Sequence, residues 1–146
     1  MRKEFKILSI NVSDKKGEQK KPVAKAVLKE NYGIVGDAHA GSEKKQVSLL
    51  AVELIEKVRK RGLKREFGDF AENITTEGLD VANLPLGTRL HLGDAILEIT
   101  QLGKEIDHQS KIYKLVGDEG LPKNGAFAKV VKGGEISNES YCYYDI

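Results

Sequence analysis

Thr88-Arg-Leu-His-Leu-Gly-Asp-Ala-Ile-Leu-Glu-Ile-Thr-Gln-Leu102 decides the fold class. Leu90 and Leu92 alternate with Arg89 and His91, and beyond Gly93-Asp94 Leu97 and Ile99 alternate with Ile96, Glu98 and Thr100. A period of two on both sides of a Gly-Asp turn is the pattern of a β-hairpin with one buried face. The same period spreads outward along the chain. Phe5–Val12 reads as a strand with Phe5, Ile7 and Ser9 on one face and Leu8, Ile10 and Val12 on the other. The polar stretch Ser13–Lys21 reads as a mobile hairpin loop that leaves through Pro22 into a second strand, Val23–Glu30. Gln46–Leu50 and Ala126–Val131 read as further strands, the latter ended by Gly133-Gly134.

Only Ala51–Arg61 has a clear helical period, with Ala51, Leu54, Ile55 and Val58 spaced i, i+3, i+4, i+7 and Gly62 placed to end it. Ile106–Val116 is read as a second short helix. The expected fold is therefore mainly β (β-rich α+β), with one or two flanking short helices. No repeat or composition shift divides the chain, so residues 1–146 are expected to form a single domain.

Basic and acidic residues number 24 and 22, interspersed to a net charge of +2. That balance steers the chain toward neither nucleic acid nor an anionic membrane. The local run Lys57, Arg59, Lys60, Arg61, Lys64, Arg65 is read as a solvated helix end, where cations meet the negative pole of the helix. One cysteine, Cys142, excludes an intramolecular disulfide and any multi-cysteine metal site. The charged start and the lack of a long apolar run predict a soluble, cytoplasmic protein.

The glycine-rich phosphate loops, the His-Glu-x-x-His zinc motif, Cys-x-x-Cys and Gly-x-Ser-x-Gly are all missing. What remains is a scattered polar constellation. Asp37 and His39 sit in a segment punctuated by Gly33, Gly36 and Gly41; Gln46 and Ser48 share a strand face; Glu72, Asn73, Thr75 and Thr76 precede Gly78. Each has a structural reading as well, Asp37 as a turn cap and Glu72 and Asn73 as loop braces. Alone, these residues indicate a polar cleft.

In order, these segments resemble the MOSC domain, the C-terminal domain of molybdenum-cofactor sulfurases. The resemblance runs through Gly33-Ile-Val-Gly-Asp-Ala-His39, Lys45-Gln-Val-Ser-Leu-Leu50, Gly68-Asp-Phe-Ala-Glu-Asn-Ile-Thr-Thr-Glu-Gly78 and Leu86-Gly-Thr-Arg-Leu-His-Leu-Gly93. It continues through Ala95–Glu105 and Gly125–Glu135. The small stand-alone bacterial form is the nearest in kind. The resemblance implies a β-barrel and a site for a molybdopterin-type cofactor, or a related anionic pterin or phosphate ligand. It also implies work in cofactor or metal–sulfur assembly beside a molybdoenzyme or an assembly protein. Asp37, His39, Gln46, Ser48, Glu72, Asn73, Thr75, Arg89 and Lys104 are the expected binding residues, with Arg89 and Lys104 pairing the anion. The pyridoxal phosphate of eukaryotic sulfurases belongs to a separate domain, for which this chain leaves no room.

The family places cysteines after Gly103-Lys-Glu105, where a thiolate serves as sulfur carrier or molybdenum ligand. This chain has Ile106 and Ser110 there, and Glu119 where some relatives have a further cysteine. The leading expectation is a binding module without the reactive thiol. The alternatives are a molybdenum-dependent oxidoreductase of N-hydroxylated compounds or a sulfur carrier acting through Cys142, and a degenerate partner-binding module.

Overall fold

The computed structural model describes residues 1–15, 18–43, 45–60, 62, 72–102 and 125–146. In chain order the elements are β1 (Arg2–Val12), β2 (Lys21–Val23), β3 (Lys25–Lys29), β4 (Gly33–Ile34), β5 (Val47–Ala51) and α1 (Val52–Lys60). They continue with β6 (Ile74–Glu77), a single 3-10 turn (Val81–Asn83), β7 (Arg89–Leu92), β8 (Ala95–Leu102), β9 (Gly125–Lys132), β10 (Gly134–Ser137) and β11 (Cys142–Asp145). The strand order β11-β7-β8-β9-β5-β6-β1 closes on itself through a β1–β11 pairing, giving a barrel of seven strands. β2 extends the far end of β1, and β10, β3 and β4 form a small separate sheet. Closure removes the open edges that seven strands would otherwise present.

The expected hairpin is present with its turn at Gly93, which adopts φ +60°, and Leu90, Leu92, Leu97 and Ile99 all point into the core. The helix follows β5 directly and ends at Lys60, and the Gly62 N–H bonds the Arg59 carbonyl at 3.0 Å with φ +90°. Ala51, expected to open the helix, is the last residue of β5. The expected helix over Ile106–Val116 lies outside the described residues.

β1 departs from simple alternation. Its pairing with β6 shifts between Ile7 and Ser9, a bulge that places Leu8 and Ser9 against one partner. The extra residue reverses the faces midway, so Phe5, Ile7 and Ile10 all enter the core, while Ser9, Asn11 and Ser13 are buried elsewhere in polar surroundings. The expected faces therefore hold only for the first half of the strand. The loop before β2 also differs from a mobile one at its exit: Lys20 is fully buried.

Candidate functional site

The parallel β5–β6 pair and the antiparallel β1 bring three strand ends together at one end of the barrel: Ser48, Asn73 and Asn11 meet there. Asn73 fastens them. Its Oδ1 accepts from the Ser48 N–H at 2.9 Å and hydroxyl at 3.2 Å, and its Nδ2 donates to the Asn11 carbonyl at 3.2 Å. The Asn11 amide donates to the Glu72 carbonyl and the Thr75 hydroxyl and accepts from Ser9, while Thr75 donates to the Glu72 carboxylate at 2.8 Å. All of these residues are buried. Their polar atoms are satisfied within the protein, which is what a buried polar network requires.

One step further along β1 lies an ion pair. The Lys20 ammonium donates to Asp37 Oδ1 at 2.7 Å and to the Ser13 hydroxyl at 3.2 Å, with the two charged side chains 0% and 1% exposed. Asp37 also accepts from the Ser13 and His39 backbone N–H groups, each at 3.1 Å. Burial pushes the Asp37 carboxyl up, but Lys20 and the two amides outweigh it and hold the group below its ordinary value. His39 stands beside this pair with its ring half-exposed, Nδ1 3.8 Å from Asp37 Oδ2.

The glycine segment is thereby fixed, and its own amides are occupied. The N–H groups of Asp37, Ala38, Ala40 and Gly41 bond to carbonyls of Ile34, Ser13, Asp37 and Tyr32. The feet of the segment are tied by Gln46, whose Nε2 donates to Asn31 and whose Oε1 accepts from the Val130 N–H. Gly33 is obligatory here: it has φ +129°, and a Cβ would lie 2.9 Å from the Gln46 carbonyl.

The structure thus gathers Asp37, His39, Gln46, Ser48, Glu72, Asn73 and Thr75 at one end of the barrel, most of them as braces. It does not bring Arg89 there. Arg89 lies on β7, three strands round the sheet from β5 (about 14 Å at ordinary strand spacing), and pairs with Glu98 at 3.4 Å. Lys104, Ile106, Ser110 and Glu119 lie outside the described residues. Ser9, Asn11, Ser13 and Lys20 are the members the sequence reading missed. The alternation Ser9, Asn11, Ser13 against Ile10 and Val12 was a signal for a polar strand face; nothing local marks Lys20 among its neighbouring lysines.

Cys142 is elsewhere. It pairs with Phe5, six residues along β1 from Asn11 and hence about 20 Å away. It is 1% exposed in the barrel core, and burial pushes its thiol up to about 12. Among the described residues, Thr76 Oγ1 is a buried side-chain oxygen without a hydrogen-bond partner. Its strand partner is the core residue Ile7, so it belongs to the interior rather than to the site.

For a molybdopterin-type group the donor set is a partial fit. Half-exposed His39 and Lys45 border a rigid polar wall, which suits an anionic, hydrogen-bonding organic ligand. A soft sulfur ligand for the metal does not fit: the chain's only thiol is protonated, buried and distant. No cluster of three or more His, Cys, Asp or Glu side chains able to hold a metal occurs among the described residues. Nor is any helix among them long and apolar enough to cross a membrane.

Several solved structures share this architecture. The YuaD protein of Bacillus subtilis superposes with a TM-score of 0.82 over 99% of this chain and 97% of its own, at 18% identity. YiiM of Geobacillus stearothermophilus gives 0.69 over 97% and 75% at 21% identity, and YiiM of Escherichia coli 0.65 over 100% and 70% at 20%. At such identities the likeness establishes the fold. No curated protein matches the chain. The sequence profile of the MOSC domain, however, matches residues 36–140, which include the glycine segment from Gly36 onward, Ser48 and Asn73 of the polar wall, and the central hairpin. The chain belongs to the MOSC domain family, which is associated with the molybdenum cofactor.

Proposed function

We propose that this protein is a MOSC-family binding module that holds a molybdopterin-type cofactor, or a related phosphorylated pterin, without a protein thiolate on the metal. The observation that carries this reading is the buried Lys20–Asp37 pair that fixes the glycine segment against the polar wall. A buried ion pair is weak evidence of added stability, because apolar replacements are often as stable or more so. Its use here is to set the shape of a loop, and shape is what a ligand site needs. Family membership supplies the ligand class, and the remote, protonated Cys142 supports binding over sulfur transfer. In this reading the module stores or delivers the ligand to a molybdoenzyme or assembly protein in the cytoplasm.

The test is the content of protein purified from molybdenum-replete cells. Molybdenum by elemental analysis and oxidised pterin by fluorescence are expected in matching amounts, with both lost from cells unable to make the cofactor. Protein with neither, and with no thermal shift on adding a pterin or inorganic phosphate, overturns the proposal.

A further inference from the structure

Helix α1 and the 3-10 turn at Val81–Asn83 frame a cavity of about 170 Å³. It is separate from the polar wall: Ala51, which lines it, is three residues along β5 from Ser48, about 10 Å away. Its floor is apolar, formed by Ala51, Leu54 and Val81, the last two buried. Its rim is charged, with Glu53, Lys57 and Asp80 all exposed. Glu53 and Lys57 stand one helical turn apart, a spacing at which opposite charges can pair. Here they do not. Glu53 Oε1 accepts from the Gly78 N–H at 3.0 Å, and Lys57 has no ion-pair or hydrogen-bond partner among the described residues. Asp80 Oδ2 accepts from the Asn83 amide at 2.8 Å. Among the described residues the second oxygen of each rim carboxylate is without a donor. One polar atom adjoins the floor. Thr76 is directly opposite Ala51 in the β5–β6 register, so the two side chains share a face of the sheet. Its hydroxyl is fully buried and has no hydrogen-bond partner. Such a group is costly to leave unmatched, and a polar atom brought in through the cavity would match it. A cavity of about 150 Å³ holds a molecule the size of benzene, so this one takes about six to eight non-hydrogen atoms.

We propose that this cavity binds a small zwitterionic amino acid with a hydroxyl on its side chain. Glu53 and Asp80 take the ammonium, Lys57 takes the carboxylate, Leu54 and Val81 cover the carbon chain, and the hydroxyl reaches Thr76. Two rim carboxylates select for a positive group on the ligand, and the unpaired ammonium of Lys57 selects for a negative one beside it. The site stands apart from the binding-module reading and does not depend on it.

The experiment is calorimetric titration of the purified full chain with L-threonine and with three compounds that each lack one of its groups. L-valine lacks the hydroxyl, 1-amino-2-propanol the carboxylate and 3-hydroxybutyrate the ammonium. Threonine is expected to bind about tenfold more tightly than any of the three, the size of one hydrogen bond to a charged or buried group. Lys57→Met lowers threonine to the affinity of the amino alcohol and leaves the amino alcohol itself unchanged, while Lys57→Arg keeps the wild-type order. Thr76→Val levels threonine with valine without weakening valine. Wild type that binds no threonine overturns the proposal. Threonine bound by Lys57→Met and Thr76→Val as tightly as by wild type lies elsewhere on the protein, and overturns it as well. Valine bound by wild type as tightly as threonine overturns the part given to Thr76.

Discussion

Lys20 and Asp37 show how much one pair of residues decides in this molecule. Each is charged, each is almost wholly withdrawn from solvent, and among the described residues each is hydrogen-bonded by the other and by Ser13 or the loop amides. Removing one partner strands the second, so Lys20→Met or Asp37→Asn is expected to cost about 3–5 kcal/mol in urea unfolding. Lys20→Met combined with Asp37→Asn should cost clearly less than the sum of the two single changes. The pair also has a pH signature. Because the Asp37 carboxyl is held below its ordinary value of 3.8, its contribution is complete above that value and is lost as pH falls through the lower folded one. The stability gap between wild type and Asp37→Asn is therefore expected to hold above the ordinary value of 3.8 and to narrow as pH falls below it. A constant gap would mean that the ionised carboxylate is not what holds the loop. From sequence Asp37 was readable as a loop residue with a job, but Lys20 was not. Its partner lies 17 positions away, and among Lys15, Lys20 and Lys21 only tertiary packing distinguishes the buried one.

At the level of elements, the regular parts of the barrel were legible and the irregular parts were not. The β7–β8 hairpin could be read from alternation because Gly93 permits the turn and every inward position is apolar. β1 could be read as a strand, but not its faces, since the bulge at Leu8 and Ser9 follows from pairing with β6 rather than from local preference. β11 carries little local signal: Cys142–Asp145 is only four residues long, and it becomes a strand through pairing with β1 and β7. The Asn73 wall was half legible, its residue types visible and its cross-strand partners hidden. Asn73 bonds to both β5 and β1 through one side chain. Asn73→Leu is thus expected to destabilise by about 2–4 kcal/mol, since it leaves the Ser48 N–H and hydroxyl and the Asn11 carbonyl without these partners. Hydrogen exchange should speed at the amides of Ser48 and Asn11 first; uniform loss across the barrel would contradict the bracing role.

At the scale of the whole molecule, the polar wall and the closure of the barrel occupy opposite ends of β1. The end near Asn11 carries the polar wall, and the end near Phe5 is sewn to β11, where Tyr143 stacks on His91 at 4.4 Å and beneath the Arg2 guanidinium at 3.8 Å. Cys142 belongs to that seam. Its alkylation by iodoacetamide should be slow in the native protein and accelerate only as unfolding sets in, and Cys142→Ala should leave ligand content unchanged. Rapid native alkylation, or loss of ligand in that variant, would restore the thiol to the mechanism. The same seam has a consequence during synthesis. Arg2 cannot meet Asp145 until the rest of the chain has left the ribosome, on the order of 10 s after β1 itself emerges. Throughout that interval β1 offers an open edge flanking an apolar run. Arg2, Lys3, Glu4 and Lys6 then act as gatekeepers, their charges discouraging the nascent strand from pairing with a neighbouring chain before its own last strand arrives.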